Sequence, residues 1–336
     1  MNAMRHPDAP HARFSRRVQR AARRPFAAKD RQAGIALVLA LWSTVLLTAM
    51  AASFAYSMRT EALAAGNSAG VAKARAAADG AIERTAYELG RPRVPGAWAP
   101  DGTPRAWEDE GVAIAVVATD ESAKIDLNAA GEVLLRGLFS AIGGADPDSA
   151  ARLVDAVIDW RDADDFKRPQ GAEAADYRAA GAKVAPANAP FETVGEVSRV
   201  LGMTPSVYAR IIGSVTVWSR QPGINPRTAS REVLLALPGV DASAVDAYLA
   251  QRDAAIRDGL PAPAFASASG LASGAIQTWR IRAEARTSDG VTFVREAVVR
   301  PSQDPSRPLV VLAWLEGAMA PASADTNTEP SDGPRT

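Results

Sequence analysis

The chain has no cysteine, which excludes thiol catalysis, thiolate metal sites and disulfides. Disulfides are permitted outside the cytoplasm but not required there, so this absence leaves the compartment open. Histidine is almost as scarce. His6 and His11 are the only two, and both precede a long apolar run, so chemistry that needs a histidine base in the folded part is excluded. An excess of one charge is lacking as well, because 38 Lys and Arg balance 38 Asp and Glu. That balance argues against a broadly basic nucleic-acid surface. No glycine-rich phosphate loop precedes a helix. Neither an enzyme nor a small-molecule substrate is therefore expected.

What is present begins with charge asymmetry at the N-terminus. Arg5, Arg13, Arg16, Arg17, Arg20, Arg23, Arg24, Lys29 and Arg31 stand against Asp8 and Asp30 before Gly34, and no charge follows from Ile35 to Met58. As a helix that run is about 36 Å long, enough to cross a bilayer core of about 30 Å. The basic flank stays on the cytoplasmic side and sends the rest outward. A cleaved secretory signal has an apolar region of only about 7 to 15 residues, whereas here more helix follows. Residues 59–89 are rich in alanine and lack proline, with Leu63, Val71, Ala74, Ala78, Ile82 and Leu89 near one stripe. The spacing predicts one long helix, with Gly66, Gly70 and Gly80 as weak points. Two readings of the segment stand: an uncut single-span anchor, or a helix kept after a leader is removed.

At 336 residues the chain exceeds the usual single-domain length of about 100 to 200. Residues 90–110 are rich in proline and glycine and read as a loop. Residues 111–120 read as a strand. From Asp126 to about Ile212 apolar residues recur three or four apart, predicting helices, with Asp148 and Thr193 as N-terminal residues. Strand patterns return in "IIGSVTVWS", in "AIQTWRIRAEART" and "GVTFVREAVVRP" joined as a hairpin by "SDG", and in "LVVLAWLEG". The tail from Ala318 has few apolar side chains and reads as disordered.

Two stretches echo each other: "KIDLNAAGEVLLRGL" at 124–138 and "GINPRTASREVLLALPGV" at 223–240. The second resembles a helix-hairpin-helix element, whose exposed amides can bind phosphate. Asp241 and Asp246 stand beside it where DNA binding favours Lys or Arg. A packing role is therefore preferred, and a membrane-anchored extracytoplasmic DNA-binding protein is the alternative.

The remaining constellation is acidic. Asp159, Asp162, Asp164 and Asp165 are followed by Glu173 and Asp176. Carboxylates this dense repel unless solvated, paired with bases or bridged by a cation, and oxygen-only ligands suit calcium. Counted from Asp162, Asp164 and Glu173 fall at positions three and twelve of an EF-hand loop, but Phe166 and Lys167 break that pattern. Two readings stand: a calcium site of other geometry, or a solvated surface on which Asp159 and Asp162 cap a helix and Lys167 and Arg168 pair with the rest.

Taken in order, the leader, the apolar helix, the repeat and the run Trp160, Asp162, Asp164, Gly171, Ala172, Glu173, Tyr177 resemble the minor pseudopilin K family of the type II secretion system. The resemblance implies an α+β fold: a pilin-like long helix on a small antiparallel sheet, with an inserted all-α domain of helix-hairpin-helix or SAM-like type. It implies cleavage by the prepilin peptidase between Gly34 and Ile35, and Leu39 standing where pilins carry a glutamate. It implies calcium held by Asp162, Asp164 and Glu173, with Asp159 and Asp165 as further candidates. The expected partners are other minor pseudopilins, with no nucleic acid. The expected place is the inner membrane, single-pass, with the globular part in the periplasm. The expected layout is a leader at 1–34, a transmembrane half-helix at 35–58, amphipathic helix, loop and first strand at 59–120, a helical insert at 121–213, the rest of the pilin-like domain at 214–317, and a tail at 318–336.

Overall fold

The computed structural model describes residues 30–91, 97–266, 269–272, 277–302, 304 and 306–317. The leader up to residue 29 and the tail from 318 lie outside the described residues. The chain divides into two compact units, residues 1–65 and 66–336.

One helix, α1 (Asp30–Gly90), begins the described chain. Within the first unit its side chains from Ile35 to Met58 are exposed, including Leu37 at 74% and Trp42 at 69%. Among the described residues it is the one helix long and apolar enough to cross a membrane. The helix runs through Gly66, Gly70 and Gly80 without a break. A helical glycine costs about 1 kcal/mol relative to alanine, and in the second unit packing of the helix offsets that cost.

That packing is against a five-stranded antiparallel sheet. Its strands are β1 (Arg105–Asp109), β2 (Val112–Asp120), β5 (Trp279–Thr287), β6 (Thr292–Pro301) and β7 (Leu309–Glu316), paired in that order. In β2, Val112, Ile114, Val116 and Ala118 are buried while Ala113 and Ala115 are exposed, the period-two pattern of a sheet with one covered face. Trp279, Ile281, Ala283 and Ala285 continue that face in β5. Ala78, Ala81, Ile82 and Ala86 of α1 lie on it with almost no exposure. Mostly alanines, these residues let the helix approach the sheet closely. Asp79 of α1 binds Arg295 of β6 at 2.6 Å, and Lys73 donates to the Glu110 carbonyl at 2.7 Å.

Strand β1 corrects the expectation of a loop throughout 90–110. Glu110 and Gly111 both have positive φ, 46° and 74°, and close a two-residue hairpin that pairs Asp109 with Val112. The Pro-rich composition hid five residues that a neighbouring strand holds in register.

Between β2 and β5 the chain leaves the sheet. Asp120 at the end of β2 pairs with Trp279 at the start of β5, so residues 121–278 are an insertion into a β-hairpin. The insertion contains β3 (Ile125–Asp126), α2 (Glu132–Gly137), α3 (Pro147–Arg161), α4 (Ala174–Ala179), α5 (Pro205–Ile211), β4 (Val215–Thr216), α6 (Arg231–Leu235) and α7 (Ala242–Arg257). Its core is one cluster that runs from Ile125 and Leu135 through Val157, Trp160 and Ile211 to Ile224, Leu234 and Val245. This changes the expected layout. An insert ending at 213 would split that core, because α6 packs on residues 138–142 just after α2, α7 packs on α6, and the buried side chains of both belong to this cluster. The expected strand in "IIGSVTVWS" shrinks to Val215 and Thr216, which pair parallel with Ile125 and Asp126. The cap of α3 is Asp146, whose carboxylate accepts from the amides of Asp148 and Ser149, with Pro147 opening the helix. Asp148 lies inside the first turn. Thr193 does open a short 3-10 helix, as expected, with Glu196 bonded back to its amide and hydroxyl.

Candidate functional site

Two aromatic side chains carry the acidic loop. Trp160 near the end of α3 stacks on Phe191 at 5.7 Å and meets Tyr177 of α4 at 6.1 Å. The Tyr177 hydroxyl accepts from the Leu201 amide at 2.8 Å, and burial pushes its pKa up to about 12. The loop between α3 and α4 is therefore pinned at both ends.

Acidic side chains of α3 then shape it from below. The carboxylate of Asp155 accepts from the Gln170 amide at 3.0 Å and from Arg168 Nε at 2.8 Å. Asp159, with no exposed surface, accepts from the Arg168 amide at 3.3 Å. A Cβ at Gly171 would lie 1.9 Å from Asp159 Oδ2, so that carboxylate fits only beneath a glycine. Above it, Asp164 accepts from the Phe166 amide at 2.9 Å, and Asp165 accepts from Asn188 Nδ2 at 2.8 Å.

The basic residues do not neutralise the centre. Lys167 pairs with Asp176 at 2.7 Å, and Arg168 pairs with Asp155 and Glu132 at 2.8 and 3.0 Å. Among the described ion pairs none involves Asp159, Asp162 or Glu173. The solvated-surface reading is thus half right: both bases pair with acids, but with those at the margin. Asp162 Oδ1 and both Glu173 oxygens are buried and accept no hydrogen bond. Burial first, and neighbouring carboxylates after it, raise the pKa of Asp159, Asp162 and Glu173 above the ordinary range. For Glu173 those neighbours are Asp159, Asp162, Asp165 and Asp164.

Buried, unpartnered carboxylate oxygens are costly. A hard divalent cation with oxygen ligands would offset that cost, so the donor set fits calcium chemically. Among the described residues no three acidic side chains are already closed around one point as a metal cage. The loop brings together Asp159, Asp162 and Glu173, and leaves Asp164 and Asp165 exposed at the rim with amide partners.

The other expected positions lie elsewhere. Gly34, Ile35 and Leu39 are in α1, and Ile35 and Leu39, four residues apart, share one helix face at 64% and 62% exposure. In the near-repeat, Ile125 and Ile224 are both fully buried, while Asp126 and Asn225 each accept from the amide two residues on. At the start of α7 the Asp241 carboxylate accepts from the Ala244 amide at 2.8 Å, and Asp246 is bound by Arg231 at 2.6 Å. That helix end thus presents a carboxylate where a phosphate would have to sit. The pentapeptide "GNSAG" at 66–70 matches the letters of a serine-hydrolase nucleophile motif. It lies inside α1, not on the strained strand-to-helix turn that exposes such a serine, so it is helix and not a nucleophile.

Sequence reasoning missed Glu121. It has no exposed surface and binds Lys124 at 2.9 Å, Arg280 at 2.7 Å and the Thr216 hydroxyl. Burial alone would raise its pKa, but Lys124 and Arg280 bring it down to about 2. Since Arg280 also pairs with Glu296, this buried network ties the insertion to the sheet.

Residues 114–220 match the family model described as type II secretion system, protein K. No curated protein matches the sequence. Among solved structures, a chain from the crystal structure of the GspK-GspI-GspJ complex of the enterotoxigenic Escherichia coli type 2 secretion system is similar, with a TM-score of 0.56 at 20% identity. The match covers 78% of this chain and 99% of that one, and at this identity it speaks to the fold.

Proposed function

We propose that this chain, whose residues 114–220 match the family model of the type II secretion system protein K, is the minor pseudopilin that caps the pseudopilus tip and helps start its assembly. Such a role serves protein export across the outer membrane and requires no catalysis. The observation that carries the reading is the placement of the protein K match. It covers most of β2 and the larger, N-terminal part of a helical domain inserted into a sheet that packs on the second half of a long N-terminal helix.

In this reading the prepilin peptidase cuts between Gly34 and Ile35. The run to Met58 remains as a single-pass anchor in the inner membrane, and the folded part stands in the periplasm. Leu39 offers no carboxylate to neutralise the terminal amine of a neighbouring subunit within an apolar bundle, where an unpaired charge is costly. The chain therefore suits a position with no subunit above it, and the inserted domain adds steric bulk to the folded part. Its partners are other minor pseudopilins, a reading supported by the similar chain's having been solved in a GspK-GspI-GspJ complex. No nucleic acid is assigned to it.

Calcium belongs to the same reading. Asp162 and Glu173 supply the buried unpartnered oxygens, Asp159 lies beneath them, and Asp164 and Asp165 stand at the rim. Bound calcium would neutralise the repulsion among these carboxylates and fix the loop between α3 and α4.

Co-expression tests the role. The tagged full chain, extracted in detergent, is expected to co-purify with the minor pseudopilins encoded by the same secretion system. Recovery of the chain without them, or with duplex DNA in their place, would contradict it.

A further inference from the structure

A second stretch of chain, residues 188–191, grips the acidic loop from outside. Asn188 Nδ2 donates to Asp165 Oδ1 at 2.8 Å and to the Asp164 carbonyl at 3.3 Å. Among the described hydrogen bonds the second carboxylate oxygen of Asp165 has no donor, so the grip orients this group and leaves one oxygen for a ligand. The gripping group is an amide, which donates without charge. A lysine in its place would cancel the negative charge that a cation needs.

The grip has a rigid base. Three residues on, Phe191 lies flat on Trp160, with the ring planes 8° apart. Its backbone is bound on both sides by one side chain: the Phe191 amide donates to Asn128 Oδ1 at 2.7 Å, and Asn128 Nδ2 donates to the Phe191 carbonyl at 2.9 Å. The Asn128 amide in turn donates to the buried Asp126. The arm is therefore fixed to the core of the insertion, not to the loop it holds. At Asn188 φ is +45°, the left-handed region that glycine enters freely and asparagine more readily than most other residues. The turn itself does not need this side chain, whereas the acidic loop is bound by it.

Glu173 gives an independent sign that the held loop takes a cation. It is 7% exposed, and both its carboxylate oxygens are buried without a donor. Asp165 and Asp164 are among the charges that act on it, so the rim fastened by Asn188 borders the oxygens that lack a partner.

We propose, taking calcium as the cation of this loop, that Asn188 is a positioning residue for it: by fixing the Asp165 carboxylate and the Asp164 backbone, an uncharged side chain outside the acidic run sets the affinity of the site. Carboxylates that bind metals are themselves oriented by hydrogen bonds, and loss of such a partner costs about 10- to 100-fold in metal affinity. Without the arm, the rim would have to be ordered at the moment of binding.

The test measures calcium affinity by isothermal titration into the full chain in detergent, and the stability of the metal-free fold by thermal melts in EDTA. Asn188→Gly keeps the left-handed backbone and removes the amide. It should weaken calcium binding at least about tenfold and leave the melting temperature in EDTA close to the parent's, a split that a purely structural residue would not produce. Asp165→Ala should weaken binding as well. Adding Asn188→Gly to it should then cost much less than in the parent chain, because the two side chains act as a unit. Unchanged affinity in Asn188→Gly, a loss that only follows a fall in melting temperature, or equal losses in both backgrounds would overturn the proposal while leaving the calcium reading intact. A parent chain that gives no heat with calcium and melts as it does in EDTA would overturn both.

Discussion

Asp120 and Trp279 stand directly opposite each other as the last residue of β2 and the first of β5. The helical domain therefore enters and leaves the sheet through one hairpin step. Asp120 also accepts from Asn225 Nδ2 at 2.8 Å and the Thr228 hydroxyl at 3.1 Å, so the strand end holds the second copy of the repeat as well. Such an insertion is separable in principle, because its removal leaves strand pairing intact.

Replacing residues 122–277 by a two-residue Asn-Gly turn is expected to leave a folded helix-and-sheet domain. The sheet keeps its register, and Arg280 retains Glu296. Circular dichroism should show loss of helix with a cooperative melt preserved. In a secretion assay the shortened chain should fail to replace the full one, and normal secretion would mean that the insert has no part in capping.

The acidic loop predicts a pH dependence of a particular sign. A carboxyl whose folded pKa lies above its unfolded value destabilises fully above the folded pKa, and this contribution vanishes below the unfolded one. Asp159, Asp162 and Glu173 are raised in this way, so metal-free protein should gain stability from these groups as pH is lowered to the ordinary carboxylate range of about 4. Calcium at roughly a hundred times its Kd should add about 2.7 kcal/mol at pH 7. Glu173→Gln should flatten the acid gain in EDTA and abolish the calcium effect. Thermal melts at several pH values, with EDTA and with calcium, check all three outcomes.

Glu121 works in the opposite direction. Held at about 2 against an ordinary 4.5, it contributes stability that is present above pH 4.5 and lost as pH falls toward 2. Glu121→Gln removes one partner of a buried pair and should cost about 3 kcal/mol, measured by urea unfolding at pH 7. The loss should shrink below pH 3, whereas a pH-independent loss would point to packing alone.

The long helix, the β5–β6 hairpin and β7 were legible because their signals are local: alanine without proline, period-two alternation, and a Ser-Asp-Gly turn whose Gly290 has φ +85°. Strand β1 was not, because its residues are strand only in the company of β2. The end of the insert was missed because it is fixed by a long-range pairing, Asp120 with Trp279. At the acidic site, spacing gathered the carboxylates of one loop but could not separate the unpartnered Glu173 from the well-bonded Asp164. Only the fold shows that Lys167 and Arg168 are committed elsewhere.

The account rests most heavily on the chain being a processed, pilin-like subunit, and the mass of its mature N-terminus tests that directly. Intact-protein and peptide mass spectrometry of the membrane-extracted protein should find a chain beginning at Ile35 with a methylated amine. A chain that retains the basic residues before Gly34 would contradict the account.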